Sequence, residues 1–289
     1  MQPAPDLPRP PRQVVSLVPS LTESLFDLGF GKTVVGITDY CIHPGNALAG
    51  LPRVGGPKNP RLDEILALKP DLVLANREEN TRPAIEGLRS AGLTVWVTHP
   101  QTVQQAMEVL WSLAALFKSQ TAVASLKALG AAIDWAKSAA GENRRRYFCP
   151  IWYGQTQAGQ SWWMTFNQQT YCHDLLGLVG GENCFAERER RYPLAADLGL
   201  EEPQEAGERD KRYPRLTLEE ICQARPEIIL LPDEPFEFGE PHRQEMLELL
   251  ADTPAVRQGR VYLVEGSLIT WHGTRLARAL RELPPLFNR

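Results

Sequence analysis

The sequence has few of the features that mark disulfide-bonded, membrane-spanning or nucleic-acid-binding proteins. Its five cysteines in 289 residues are odd in number and form no CxxC motif, which argues against a disulfide scaffold and favours reduced, buried thiols. No run approaches the roughly 18 apolar residues of a membrane span. With 31 basic and 35 acidic residues the net charge is −4, which argues against a nucleic-acid partner. We therefore expect a soluble globular monomer that is not embedded in a membrane.

One helix-strand segment occurs twice, at residues 62–75 (LDEILALKPDLVLA) and at residues 218–231 (LEEICQARPEIILL). In each copy an amphipathic helix ends before a proline, because the residue before proline is pushed out of the α region. A solid apolar run follows, as is typical of a strand covered on both faces in a parallel sheet. An acidic loop comes next in both copies. The duplication predicts an α/β fold with two lobes, each built on a parallel sheet.

The remaining composition divides the chain into four parts. Residues 121–140 are rich in alanine and free of proline, which predicts a helix of about 30 Å that joins the lobes. The resulting division is a disordered tail at 1–12, an N-terminal lobe at 13–117, a connecting helix at 118–145 and a C-terminal lobe at 146–289. The heavily charged residues 187–215 are predicted to form an exposed excursion or flap.

Several short motifs, in order along the chain, resemble one known family. They are SLVPSLTESLFDLG, VVGITDYCIHPG, PRVGG, ALKPDLVLA and GLTVWV in the first half, then LVGGEN and GRVYLVEGS in the second half. Their order is similar to that in periplasmic binding proteins for vitamin B12 and iron chelates. The resemblance covers nearly the whole chain beyond the tail. It implies two Rossmann-like lobes joined by a single long rigid helix.

The resemblance also implies a function. A protein of this kind has no intrinsic cofactor and binds a cobalt- or iron-containing chelate (a corrinoid such as vitamin B12, an iron siderophore or haem) between its lobes. It then delivers the chelate to an ABC permease with its ATPase, so we expect a solute-binding protein and not an enzyme. The alternative is a cytoplasmic corrinoid- or metal-handling protein or enzyme on the same scaffold. The resemblance implies a protein of the periplasm or the cell surface. The free cysteines and the lack of an apolar signal core in residues 1–12 favour the cytoplasm instead. The localisation is left open.

Aromatic residues in loops at the carboxyl ends of strands are the candidate ligand contacts, because open α/β sheets bind ligands there. Tyr40 and Trp96 are implied by the resemblance, and the second lobe offers its own set. The predicted ligand-binding residues are Tyr40, Trp96, Trp162, Trp163, Trp271 and His272. Core packing is the alternative for the adjacent pair Trp162 and Trp163, although both cannot face inward on one extended strand. His272 is either a metal ligand through its neutral imidazole or a hydrogen-bonded structural residue.

The acidic loops after the two repeats are the candidate docking surface. The resemblance implies that an acidic side chain of each lobe docks into basic pockets of the permease. The candidates are Glu78, Glu79, Glu234 and Glu237. Arg82 stands where the family has its docking glutamate, which is a departure from the pattern. The alternative is that these glutamates are ordinary solvated surface residues.

Overall fold

The computed structural model describes residues 2–141 and 144–288. The chain divides into two compact units. The first, unit 1, comprises residues 1–132 and 271–277, and the second, unit 2, comprises residues 133–270 and 278–289. The predicted boundaries put residues 271–277 in the second lobe, whereas their contacts place them in unit 1. Four residues lie outside the described part of the chain: Met1 of the predicted tail, Glu142 and Asn143 of the predicted connecting segment, and Arg289 of the predicted C-terminal lobe.

Unit 1 alternates strands with helices. Short 3₁₀ turns at Gly31–Thr33 and Gly45–Leu48 flank its second strand. Its elements are β1 Val14–Ser16, α1 Pro19–Asp27, β2 Val34–Ile37, α2 Leu62–Ala67, β3 Leu72–Asn76, α3 Arg82–Ser90, β4 Val95–Thr98, α4 Val103–Leu116 and the first part of α5 Gln120–Ala139.

A four-stranded parallel sheet in the order β2-β1-β3-β4 forms the centre of unit 1. The first repeat supplies β3, an inner strand whose five residues are all buried. This burial explains the solid apolar run in the sequence, because helices cover both faces of a parallel sheet. The core contains side chains from β1, β3, β4 and the helices α2 and α3, among them Val15, Val73, Ile65, Leu88 and Val95.

Unit 2 begins within α5 and contains more strands. Its elements are β5 Arg145–Phe148, β6 Trp152–Gln155, β7 Ser161–Met164, α6 Tyr171–Leu178, β8 Gly181–Asn183, α7 Leu194–Asp197, β9 Arg215–Leu216, α8 Leu218–Ala224, β10 Ile228–Pro232, α9 Glu240–Leu249, α10 Pro254–Arg257, β11 Val261–Val264, α11 Ser267–Thr270, α12 Leu276–Glu282 and α13 Pro284–Phe287.

Unit 2 has its own parallel sheet in the order β11-β10-β5-β8. The second repeat supplies β10, again an inner and fully buried strand. The residues before the two repeat prolines, Lys69 and Arg225, both adopt a left-handed backbone, with φ of 48° and 47°. The prediction of an α/β fold with two parallel sheets, one repeat in each, is confirmed.

The long helix α5 runs over 20 residues, which corresponds to about 30 Å. Its residues up to Ala132 belong to unit 1 and those from Ile133 belong to unit 2. Its role as a rigid joint stays a prediction. Over the described parts of the chain, no helix is both long and apolar enough to cross a membrane.

The segment predicted as an exposed flap, residues 187–215, contains buried structure. Asp197 is buried at the end of α7 and accepts hydrogen bonds from Arg188 Nη1 at 3.0 Å and from the backbone N–H groups of Arg191 and Arg215 at 2.9 and 2.8 Å. The segment then ends in β9, which pairs with β7. The high charge misled the sequence interpretation, since part of that charge is neutralised internally.

Candidate functional site

The loop after β2 presents an exposed aromatic and apolar surface at the carboxyl edge of the unit 1 sheet. Tyr40 is 65% exposed and Ile42 is 58% exposed. The Tyr40 ring lies over Gly56, where a Cβ atom would meet Tyr40 Cε2 at 3.5 Å. Arg53 Nη1 donates to the carbonyl oxygens of Thr38 and Cys41, each at 2.8 Å, and so fixes the loop. Tyr40 is thus an exposed side chain at the sheet edge where a ligand contact was predicted, and the contact itself stays a prediction.

Trp271 lies against the same loop. Its ring is 5.7 Å from the ring of His43 in an edge-on arrangement, and the Arg275 guanidinium lies 5.0 Å from its ring centroid. Arg275 is buried and bonds both carboxylate oxygens of Glu23, at 2.6 and 2.7 Å. Such a bidentate pair is strong and directional. The pair holds the segment of residues 271–277 on α1, so Trp271 and Tyr40 belong to one unit, although the sequence predicted two.

His272 is buried beneath this surface. Its Nε2 lies 3.1 Å from Asn76 Nδ2, at the carboxyl end of β3. Burial lowers the pKa of His272 to about 4, with the Glu78 charge acting in the opposite direction and His99 adding slightly to the lowering. A neutral ring whose Nε2 accepts a hydrogen bond from Asn76 fits the structural alternative better than the metal-ligand prediction. No group of three metal-ligating side chains suited to an ion occurs within residues 2–141 and 144–288.

Trp96 is a core residue in this structure. It lies in β4 and is buried, and its indole N–H donates to the backbone oxygen of Gln2 at 3.3 Å. It therefore presents no free face to a ligand in this structure. The contact also shows that the tail predicted to be disordered is held at Gln2.

A three-stranded antiparallel sheet, β6-β7-β9, decides the roles of the two adjacent tryptophans. Trp163 is buried, 5.6 Å from the Tyr153 ring, in the core of unit 2. Trp162 points to the opposite face, since successive side chains on a strand alternate. It is half-buried over Gly154, where a Cβ atom would meet its indole at 2.4 Å. Of the predicted pair, Trp162 is the one that keeps an accessible face, and its ligand contact stays a prediction.

The outer face of this small sheet carries a further tryptophan that the site prediction left out. The register pairs Trp152 with Met164 and Gly154 with Trp162, so Trp152 and Trp162 lie on the same face. Trp152 is 43% exposed and packs edge-on against Phe236 at 5.7 Å. β5 leads directly into β6, which places Trp152 beyond the carboxyl end of a strand in the unit 2 sheet. The alternation Trp-Tyr-Gly at 152–154 was the signal that indicated it.

The four predicted docking glutamates differ in their surroundings. Glu78 lies 3.4 Å from His99 Nε2, and Glu79 is partly buried. Glu234 is also partly buried and accepts a hydrogen bond from Thr270 Oγ1 at 2.8 Å, so it has a structural role in its loop. Glu237 is exposed. Docking stays a prediction for all four; Glu78 and Glu237 are exposed, whereas Glu79 and Glu234 are partly buried.

Comparison with known proteins agrees with the two-unit fold. A family model described as periplasmic binding protein matches residues 14–268. A vitamin B12-binding protein of Salmonella typhimurium strain LT2 is 31% identical over 185 residues, 63% of this chain and 65% of that relative. The alignment thus spans slightly less than two thirds of that relative's length. An uncharacterized ABC transporter substrate-binding lipoprotein of Bacillus subtilis strain 168 is 25% identical over 281 residues, 94% of this chain and 79% of the relative.

Solved structures show the same fold. The periplasmic vitamin B12-binding protein BtuF of Vibrio cholerae has a TM-score of 0.74 at 20% identity, over 96% of this chain and 97% of that chain. The periplasmic heme-binding protein RhuT from Roseiflexus sp. RS-1 has a TM-score of 0.74 at 22% identity, with the same coverage. These relatives and structural neighbours are binding proteins and not enzymes. Because the family model covers most of the residues, the chain belongs to the periplasmic binding protein family.

Proposed function

We propose that this protein binds a metal chelate (a corrinoid, haem or a ferric siderophore) and delivers it to the permease of an ABC importer. The observation that carries the proposal is the surface formed by the exposed Tyr40 and Ile42 and the partly buried Trp271 at the carboxyl edge of the unit 1 sheet. Flat aromatic side chains suit large macrocycles and chelates. The relatives named for vitamin B12 and heme binding support this ligand class.

Each unit contributes its own surface to the proposed ligand contacts. In unit 1 the Tyr40 and Trp271 rings are held from behind by Gly56 and by the Arg275–Glu23 pair. In unit 2 Trp152 and Trp162 lie on one face of the small sheet. His272 contributes by holding Trp271 from beneath, through Asn76, and not by coordinating the metal.

Chelate retention tests the first half of the proposal. The protein is incubated with cobalamin, haemin or a ferric siderophore, and its visible absorbance is read after gel filtration. We expect one chelate class to stay bound, and we expect Tyr40→Ala and Trp271→Ala each to weaken it about tenfold, which corresponds to about 1.4 kcal/mol. Trp135→Ala is the matched control, because Trp135 is 68% exposed on α5 and is not among the candidate ligand residues. Unchanged affinity in both site variants would show that this edge is not the site.

Delivery is tested with the permease and its ATPase in vesicles. Glu79→Lys and Glu237→Lys are expected to lower the stimulation of ATP hydrolysis most at low salt, where surface charge pairs are least screened. Chelate affinity of the same variants should be unchanged. Loss of chelate binding instead would assign these loops to the ligand site.

A further inference from the structure

A basic groove lies on unit 1 between α3, β4 and the end of β3. It encloses about 560 Å³. Its lining residues are Gln2, Arg77, Asn80, Arg82, Ile85, Glu86, Arg89 and Val97. β4 is the last strand of its sheet within the described chain, so the groove runs beside a sheet edge. Three guanidinium groups and one carboxylate make it locally basic, although the whole chain carries a net charge of −4.

The spacing on α3 places its charges on one face. Arg82, Glu86 and Arg89 are four and three residues apart and therefore neighbours on a helix surface. Arg82 Nε bonds Glu86 Oε1 at 2.6 Å, in an exposed pair that is weak in water. Arg77 follows β3 directly, and its exposed guanidinium makes no hydrogen bond or ion pair within residues 2–141 and 144–288. Two positive charges in the groove are thus left without a carboxylate.

Gln2, from the N-terminal segment of this chain, lies at one end of the groove. The side-chain oxygen of Gln2 accepts from Arg89 Nη2 at 2.8 Å, and its backbone oxygen accepts from Trp96 Nε1 at 3.3 Å. Gln2 is in no helix or strand, so the groove admits an irregular chain segment and bonds an acceptor at the tip of its side chain. A carboxylate in place of the amide would form a charge-assisted bond, which is shorter and stronger.

We propose that Arg77, Arg82 and Arg89 form a docking groove for an acidic, extended segment of a partner protein. If the proposed function is correct, that partner is the permease, and at this groove the permease supplies the carboxylates while Arg77, Arg82 and Arg89 supply the cations. The peptide contact of Gln2 favours a protein over a lipid surface as the partner.

Fluorescence anisotropy of a labelled peptide of glutamate and glycine tests the groove directly. The wild-type protein should bind this peptide, more tightly at low salt, and should not bind a lysine-glycine peptide of equal length. The double variant Arg77→Glu, Arg82→Glu should bind about tenfold more weakly or worse. Lys127→Glu, Lys137→Glu on α5 makes the same change in net charge at exposed positions and should bind as the wild type does. Glu86→Gln should tighten binding, because it releases Arg82.

Three results would overturn the groove as a protein-docking site. The first is no binding of the acidic peptide at low salt, and the second is an equal loss in the control variant on α5. The third is binding of vesicles of anionic lipid by the wild type together with no binding of the peptide. Chelate retention is measured separately on the same variants and should be unchanged. A wild-type protein that binds the peptide but no chelate would refute the proposed function and leave the groove standing.

Discussion

Acid should destabilise the folded chain through His272, and the effect is large enough to measure. Burial lowers the pKa of this imidazole from 6.5 to about 4. At about 1.36 kcal/mol per pKa unit, the folded state disfavours the protonated ring by about 3 kcal/mol. Glu78 opposes this shift and His99 reinforces it slightly, so the net direction is set by burial. This penalty of about 3 kcal/mol is a large fraction of the free energy of unfolding of a typical domain, which is about 5–15 kcal/mol.

The direction of the pH dependence follows from which state binds the proton. Above the unfolded pKa of 6.5 the ring is neutral in both states, and its full contribution to stability is present. As the pH falls from 6.5 to about 4, the unfolded chain binds a proton that the folded chain does not, so the free energy of unfolding decreases. Below about 4 both states are protonated and the loss stops growing.

Urea denaturation at a series of pH values, for the wild type and for His272→Gln, measures this contribution. Carboxylates also titrate in this range, so the informative quantity is the difference between the two proteins in the slope of unfolding free energy against pH. We expect the variant to have the shallower slope of unfolding free energy against pH. Equal slopes in the wild type and His272→Gln, or an NMR titration of His272 near its ordinary pKa, would refute the reasoning.

Three further outcomes are expected from single substitutions. Asp197→Ala should lower the free energy of unfolding by about 3–5 kcal/mol in urea melts, because it removes the buried carboxylate that pairs with the partly buried Arg188 guanidinium. A loss below about 1 kcal/mol would mean that the pairing of Arg188 with Glu220 suffices. Gly273→Ala should destabilise the folded protein by about 1–3 kcal/mol, because Gly273 has a φ of +111° and a Cβ atom there would lie 2.3 Å from the Ser24 hydroxyl. An unchanged melting temperature would contradict this. Glu234→Ala should lower the melting temperature, because Glu234 accepts the hydrogen bond of Thr270, whereas the control Glu237→Ala should not. Equal melting temperatures of the two variants would refute a structural role for Glu234.

The local pattern of the sequence was sufficient for the repeated unit and for its class of sheet. The two apolar runs predicted buried parallel strands, and the prolines at 70 and 226 predicted where the preceding helices end. These features depend on residues that are close in the chain, so no knowledge of distant contacts was needed. The loop of Tyr40 was predicted in the same way, from its position after a strand.

Contacts between distant parts of the chain decided the rest. Trp271 belongs to unit 1 because Arg275 forms an ion pair with Glu23, which lies 252 positions earlier in the sequence. Trp163 is buried because its face of the small sheet packs in the unit 2 core, together with Leu216 of β9, whereas Trp162 points to the opposite face. Sequence periodicity shows which residues share a face of an element, but it does not show what covers that face. The tertiary structure alone determined which aromatic side chains became core and which remained at the surface.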